Sequence, residues 1–254
     1  MKALMKLGAG EGKISIQDVD EPHIKQDDEV KIRVKAAGVC GSDIEILHGK
    51  HFLCHPPVIM GHEFTGKVVE TGKKVKKFKI GDRVVFEPTA GICGECRYCQ
   101  DGQYNLCSNR LIAGLNYPGG FAEFAVRKQR YVHKLPDSVS YVAGALCEPL
   151  AVCCHAVLEL TPLRAGDIVA IIGPGTIGLL SLQLVKISGG YPIVIGTGKD
   201  TPRLNLAKDL GANYAIDVER EGKSFLQLIK QITKGYGVDV VIAVSYTHLT
   251  LPTN

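Results

Sequence analysis

Four cysteines lie within one short stretch of the chain, at Cys93, Cys96, Cys99 and Cys107. Their spacing, C-x2-C-x2-C-x7-C, is suited to folding four thiolates around a single tetrahedral Zn²⁺. Because four thiolates leave no position open for water or substrate, a zinc ion held there is expected to be structural. Gly91, Gly94 and Gly102 would let the backbone turn around the metal. The alternatives are cysteines packed as small apolar side chains and an iron–sulfur cluster, although ferredoxin spacings differ from this one.

A second candidate metal site combines sulfur, imidazole and carboxylate groups from three separate segments. They are Cys40 in a Val-Cys-Gly-Ser-Asp sequence, His62 and Glu63 in Gly-His-Glu, and Glu148 in Cys-Glu-Pro. Such a mixed set can leave one zinc position open for water or an alcohol. Each residue alone is more often an ordinary buried or surface residue, and only the combination favours a catalytic zinc.

A glycine-rich turn, Gly173-Pro174-Gly175-Thr176-Ile177-Gly178, has the pattern G-x-G-x-x-G. It follows an apolar run and opens a helical segment, which is the context of a dinucleotide-binding turn rather than of an ordinary tight turn. An acidic residue about 20 positions further on would bind the ribose 2′-hydroxyl. Gly198 stands there instead, with Lys199 and Arg203 after it. Because these cations would accept a 2′-phosphate, NAD and NADP both remain open.

Composition limits the classes of protein that the sequence can encode. A chain of 254 residues with 45% hydrophobic residues and a net charge of +4 is expected to form one or two globular domains. The lysine-rich segment 73–79 is expected to be a solvated strand edge, and basic residues do not cluster around the cysteine loop, so nucleic-acid binding is disfavoured. No signal peptide or membrane span is predicted, and nine cysteines without a secretory signal indicate the cytoplasm.

These side chains need two kinds of scaffold, and the periodicity changes near residue 150. Alternating apolar and charged residues predict strands before that point, whereas strand, glycine turn and helix recur after it. The predicted strands are 30–34, 67–71, 83–86, 168–172, 193–195, 214–218 and 238–244. The predicted helices are 143–160 (interrupted near Pro149), 176–187, 203–210 and 225–233. The predicted fold class is α/β, with one domain over 1–150, including a zinc lobe at about 91–108, and a second domain over 151–244.

With these motifs in place, the chain resembles the zinc-dependent medium-chain alcohol and polyol dehydrogenases from Met1 to about Val244. Gly120-Phe121-Ala122-Glu123-Phe124 matches the strand that follows the family's zinc lobe, and Glu148-Pro149-Leu150-Ala151 matches the branch of sorbitol, xylitol and threonine dehydrogenases. The resemblance implies a GroES-like β-barrel followed by a Rossmann domain with a doubly wound parallel sheet. It also implies one catalytic and one structural zinc, NAD or NADP, a small alcohol substrate and a homo-oligomer.

The resemblance also implies roles for individual residues. Cys40 and His62 would bind the catalytic zinc, with a carboxylate from Glu63 or Glu148 bound directly or through water. Ser42 would pass the substrate proton outward, and Glu45, where the family often has histidine, is a candidate for the next proton acceptor. The cofactor-binding residues would be Gly173, Gly175, Thr176, Ile177, Gly178, Gly198, Lys199 and Arg203. The expected activity is hydride transfer between an alcohol or polyol, through a secondary hydroxyl, and NAD(P). The alternative is a non-catalytic module that binds zinc and nucleotide.

The last ten residues, 245–254, do not match the family's continuation. Only four of the six strands of a full dinucleotide-binding sheet are identifiable. We therefore expect a truncated dehydrogenase with a foreign tail, an incomplete nicotinamide pocket and reduced or absent turnover.

Overall fold

The computed structural model describes residues 1–244, apart from the side chain of Lys223. The expected foreign tail, 245–254, lies outside the described residues. The chain divides into two compact units, Met1–Glu148 and a second unit that begins at Pro149. Among the described helices, none has the length and apolar character needed to cross a membrane.

The first unit is built mainly from antiparallel strands. These are β1 (Lys2–Lys6), β2 (Ile14–Asp18), β3 (Glu29–Gly38), β4 (Val58–Ile59), β5 (Glu63–Thr71), β6 (Arg83–Phe86), β7 (Thr89–Gly91), β8 (Leu111–Ile112), β9 (Phe124–Lys128) and β10 (Val132–Lys134). Three short helices accompany them, α1 (Gly41–Leu47), α2 (Arg97–Gln100) and α3 (Tyr141–Gly144). The largest sheet has the order β10-β6-β5-β3-β9, and smaller sheets have the orders β2-β1-β4 and β7-β8.

The core of the first unit lies on one face of the five-stranded sheet. Val30, Ile32, Phe64 and Val68 are buried there. Val30 and Ile32 are the predicted apolar positions of β3, but Lys31 between them is buried as well, so the predicted alternation holds only in part. β3 and β5 are both longer than predicted and pair in antiparallel register, so that Gly38 lies directly opposite Glu63. The register therefore brings the end of β3, just before Cys40, next to the start of β5.

The lysine-rich segment 73–79 is solvated, as expected, but it is not a strand edge. It forms a loop between β5 and β6, in which Phe78 is buried and the lysines are exposed. The strand ends at Thr71 because the next residue, Gly72, turns and donates its N–H to the Glu29 carbonyl.

The second unit alternates parallel strands and helices. The strands are β11 (Ile168–Ile172), β12 (Tyr191–Gly196), β13 (Tyr214–Asp217) and β14 (Val240–Ala243). The helices are α4 (Cys147–Cys154, which begins just before the boundary between the units), α5 (Thr176–Ile187), α6 (Thr201–Asp209), α7 (Val218–Glu221) and α8 (Phe225–Ile232). The sheet order is β13-β12-β11-β14 and every pairing is parallel, which is the first part of the Rossmann order.

Both faces of the parallel sheet are covered by helices. Val169, Ile171 and Val194 pack with side chains of α5 and α6, whereas Ala170, Ile193 and Ile195 face the opposite side and pack with α8. Burial on both faces explains why β11 reads as a continuous apolar run rather than an alternating one.

The predicted helix 143–160 is divided differently from expectation. α3 ends at Gly144, α4 begins at Cys147, and His155–Glu159 forms one wider helical turn. Pro149 lies inside the first turn of α4. Backbone N–H groups in this turn have no intrahelical acceptor, so proline, which lacks an N–H, costs no hydrogen bond there. The break therefore precedes the proline.

Candidate metal centres and cofactor turn

The four-cysteine lobe brings its sulfur atoms to the spacing of a single metal site. Cys93 Sγ lies 3.9 Å from Cys99 Sγ and 3.6 Å from Cys107 Sγ. All four Sγ atoms lie within 4.8 Å of one another. Four sulfurs at about 2.3 Å from a tetrahedral zinc would be about 3.8 Å apart. The donor set and its dimensions fit one Zn²⁺.

Backbone groups favour the thiolate at Cys93, whereas burial raises the pKa of the Cys99 thiol to about 12. Cys96 donates its N–H to Cys93 Sγ at 3.4 Å, and Cys93 donates its own to Cys107 Sγ at 3.5 Å. The N–H groups of Glu95 and Cys96 together lower the pKa of the Cys93 thiol to about 6. Gly94 and Gly102 have positive φ, as the expected tight turns require, whereas Gly91 lies in β7. A deprotonated sulfur is the form that binds zinc.

A second cluster forms where β3, α1 and β5 meet. Ligand atoms of Cys40, His62 and Glu63 lie within 4.8 Å of one another. Cys40 immediately precedes α1, and His62 immediately precedes β5. His62 and Glu63 are 8% and 6% exposed. A Cβ on Gly38 would lie 2.3 Å from Glu63 Oε2, so the absence of a side chain there makes room for the carboxylate.

The electrostatics of this cluster favour a cation. Burial lowers the pKa of His62, but Cys40, Asp43 and Glu148 outweigh it and raise that pKa to about 9. Burial raises the pKa of the Glu63 and Glu148 carboxyl groups. Because these acidic groups surround the buried His62 imidazole, the site stabilises a positive charge. Sulfur, nitrogen and oxygen ligands together suit Zn²⁺.

Asp43 is a member of this cluster that the motif analysis did not single out. It is 3% exposed, and its Oδ2 accepts the Cys40 N–H at 2.9 Å. Its Oδ1 and the Nδ1 of His62 are both buried without a hydrogen-bond partner. Carboxylates commonly hold the second nitrogen of a zinc-bound histidine. An acid in the first turn of a helix, three residues after Cys40, was the available signal.

The remaining candidates for the first unit fall at different distances from the cluster. Glu148 interacts electrostatically with His62 and Glu63, and Arg110 opposes the rise in its pKa, but it is not one of the three convergent ligand residues. Ser42 Oγ lies 3.5 Å from His62 Nε2. Glu45 is exposed on α1, and the described structure gives its carboxylate no contact with the cluster.

In the second unit, the glycine-rich turn joins β11 to α5. Gly173 has φ +103°, a backbone conformation that favours glycine. A Cβ on Gly178 would lie 2.0 Å from the Gly173 carbonyl oxygen, so Gly178 permits close packing. A Cβ on Gly175 would meet nothing within 4 Å. Gly175 precedes the first turn of α5, where Thr176 is exposed and Ile177 is partly buried. An open backbone at the start of a twelve-residue helix fits the pyrophosphate of a dinucleotide.

The other predicted cofactor residues follow β12. Gly198 and Lys199 are exposed, and Arg203 donates to Asp200 at 3.2 Å. Cys153 packs in the core of the second unit, and His155 contacts Glu159 at 2.6 Å.

Comparison with known proteins assigns both parts of the chain. Residues 26–137 match the alcohol dehydrogenase GroES-like domain, and residues 176–253 match the zinc-binding dehydrogenase domain. The chain is 44% identical to a sorbitol dehydrogenase of Halalkalibacterium halodurans, over 96% of its own length and 70% of the relative's. It is 42% identical to a D-arabitol-phosphate dehydrogenase of Enterococcus avium, over 95% and 68% of the two lengths.

A solved structure supports the same assignment. The zinc-binding dehydrogenase of Sinorhizobium meliloti, bound to NADP, matches with a TM-score of 0.85 and 36% identity, covering 96% of this chain and 69% of that one. The expected GroES-like and Rossmann folds are confirmed. The chain belongs to the family of zinc-binding alcohol dehydrogenases.

Proposed function

We propose that this protein is a zinc-dependent dehydrogenase that interconverts a secondary alcohol of a polyol and the corresponding ketone with NAD(P). The observation that carries the proposal is the convergence of Cys40, His62 and Glu63 at a buried site with an excess of acidic groups. The cysteine lobe alone would suit a purely structural module, whereas a mixed set of sulfur, nitrogen and oxygen ligands can leave one zinc position open for an alcohol.

The chain's own residues would divide the work as follows. Cys40, His62 and Glu63 would hold the catalytic zinc, which supplies a Lewis acid that favours loss of the hydroxyl proton. Asp43 would orient His62, and Glu148 would adjust the charge of the site from outside the ligand set. Ser42, whose hydroxyl can both donate and accept, would receive the hydroxyl proton and pass it toward solvent. The nicotinamide, when bound, would accept the carbinol hydrogen together with two electrons as hydride.

The turn 173–178 would bind the pyrophosphate of the cofactor through the open backbone at Gly175 and the start of α5. Thr176 and Ile177 would contact the same group from the first helical turn. Gly198, Lys199 and Arg203 would lie toward the adenosine end. Cys93, Cys96, Cys99 and Cys107 would hold the structural zinc.

The proposed substrate class is a polyol or its phosphate, in keeping with the names of the two curated relatives. We further propose a cytoplasmic location, because none of the nine cysteines, all in the described part of the chain, is disulfide-bonded. A homo-oligomer is proposed from the family resemblance, and light scattering of the purified protein would measure it.

The first experiment counts zinc and measures turnover in the same preparations. Wild-type protein should carry two zinc ions per chain and show measurable, though reduced, turnover of NAD(P) with sorbitol or a related polyol. Cys40→Ser should carry one zinc and show no turnover, whereas the control Cys54→Ser should keep both properties, because Cys54 is outside both ligand sets. Retention of both zinc ions and of turnover in Cys40→Ser would remove Cys40 from the ligand set, whereas a wild type with one zinc ion and no turnover would favour the non-catalytic module.

A further inference from the structure

A loop after β12 and the turn after β13 meet at the carboxyl end of the parallel sheet. Glu219, on α7, accepts the N–H of Gly198 through Oε2 at 3.1 Å. A Cβ on Gly198 would lie 2.8 Å from the same oxygen. The Glu219 carboxylate therefore lies directly against the backbone of Gly198, and it occupies the N–H group that this loop presents there.

A second carboxylate, that of Asp200, accepts further hydrogen bonds within the loop. Asp200 Oδ2 accepts the Thr197 N–H at 3.1 Å and the Thr197 hydroxyl at 3.2 Å, and Oδ1 accepts from Arg203 at 3.2 Å. Burial raises the pKa of Asp200, but these hydrogen bonds and the charge of Arg203 outweigh it and hold that pKa below its usual value. The Arg203 guanidinium is thereby paired with an acid of its own loop.

The position of this loop relates it to the nucleotide. β12 is the parallel neighbour of β11, and a Cβ on Gly196 would lie 3.0 Å from Pro174 Cγ in the glycine-rich turn. In Rossmann folds, the loop after the strand next to the glycine turn receives the adenosine ribose, whose 2′ position carries a hydroxyl in NAD and a phosphate in NADP.

We propose that Glu219 makes this site selective for NAD over NADP. This inference rests on the proposed function, since it assumes that a dinucleotide binds at the glycine-rich turn. A 2′-phosphate carries close to two negative charges near neutral pH, so Glu219 repels it. The phosphate also finds the Gly198 N–H occupied. A ribose 2′-hydroxyl, in contrast, donates a hydrogen bond to a carboxylate.

The cations of the loop do not reverse this preference. Lys199 is exposed, so water and salt screen its attraction for a phosphate. Arg203 is held by Asp200.

The test is calorimetric binding of NAD and NADP to the wild type, Glu219→Gln and Glu221→Gln. Glu219→Gln removes the charge and retains an oxygen for the Gly198 N–H, whereas Glu221→Gln makes the same change in net charge on the same helix. The wild type should bind NAD at least roughly tenfold more tightly than NADP, and Glu219→Gln should reduce that ratio by roughly tenfold. Glu221→Gln should leave the ratio unchanged.

A second pair of probes isolates the adenosine end. Adenosine 5′-monophosphate and adenosine 2′,5′-bisphosphate lack the nicotinamide, so the 2′-phosphate alone distinguishes them. Glu219→Gln and Glu219→Ala should both improve binding of the bisphosphate, and circular dichroism verifies that each variant is folded. Equal wild-type affinity for NAD and NADP, or equal effects of the Glu219 and Glu221 variants, would overturn the inference while the proposed function stands. Failure of every nucleotide to bind would instead remove the proposed cofactor site.

Discussion

The two cysteine-containing clusters of the first unit are assembled in opposite ways. Cys93, Cys96, Cys99 and Cys107 come from one continuous stretch, whereas Cys40, His62 and Glu63 come from separate segments brought together by the pairing of β3 with β5. The lobe needs only its own turns to close, but the mixed cluster exists only when the sheet is folded. The lobe is therefore expected to determine the stability of the first unit, and the mixed cluster is expected to determine its chemistry.

The largest effect should follow from breaking the mixed cluster. His62→Asn removes the buried imidazole ligand, and turnover should fall by at least about a thousandfold, because Lewis-acid stabilisation of several kcal/mol is lost. Zinc analysis should show one ion per chain instead of two, with little change in melting temperature. A variant that kept turnover within a few-fold of wild type would show that His62 does not hold the catalytic metal.

The complementary change breaks the lobe. Cys99→Ser should remove the structural zinc and lower the melting temperature by roughly 10 °C, because loss of a structural metal is among the few changes that cost about 4 kcal/mol or more. Differential scanning calorimetry measures the shift, and Cys154→Ser, outside both ligand sets, is the matched control. Equal melting temperatures of Cys99→Ser and Cys154→Ser would contradict a stabilising role for the lobe.

These contrasting assemblies also explain how far the sequence predicts the structure. Local spacing was sufficient to predict the cysteine lobe. The strand before the glycine turn was sufficient to identify the dinucleotide motif. The sequence could not decide between Glu63 and Glu148 as the third ligand residue, because that depends on the register which places Gly38 opposite Glu63. Asp43 was overlooked for the same reason, because its proximity to His62 depends on how α1 packs beside the start of β5.

A smaller effect is expected from the residue that orients a ligand. Asp43→Asn keeps the shape of the side chain but weakens its interaction with His62, and zinc affinity or turnover should fall by about 10- to 100-fold. Titration of the metal-free variant with zinc measures the change. The lobe provides an internal control, because its zinc affinity should be the same in variant and wild type.

The same zinc titration should distinguish the two candidate carboxylates, Glu63 and Glu148. Glu63→Gln should weaken zinc binding at the mixed cluster by more than Glu148→Gln, by roughly tenfold, because Glu63 lies in the convergent set and Glu148 acts through its charge. A larger loss of zinc affinity for Glu148→Gln would show that Glu148, on α4, is the direct ligand. The cluster would then depend on a third segment of the chain.

The smallest effect concerns the exit of the substrate proton. Ser42 Oγ is near His62 Nε2, whereas Glu45 is exposed one helical turn further on without a contact to the cluster among the described residues. Ser42→Ala should therefore reduce turnover by roughly tenfold, less than the roughly hundredfold or more that is typical of a positioned proton-transfer group, because water can replace the missing hydroxyl. Glu45→Gln should change turnover by less than about threefold, because water can accept the proton that Ser42 releases. If Glu45→Gln reduced turnover as much as Ser42→Ala, and the double variant were no slower than either, the two side chains would form one relay, and the mixed cluster would extend to the exposed face of α1.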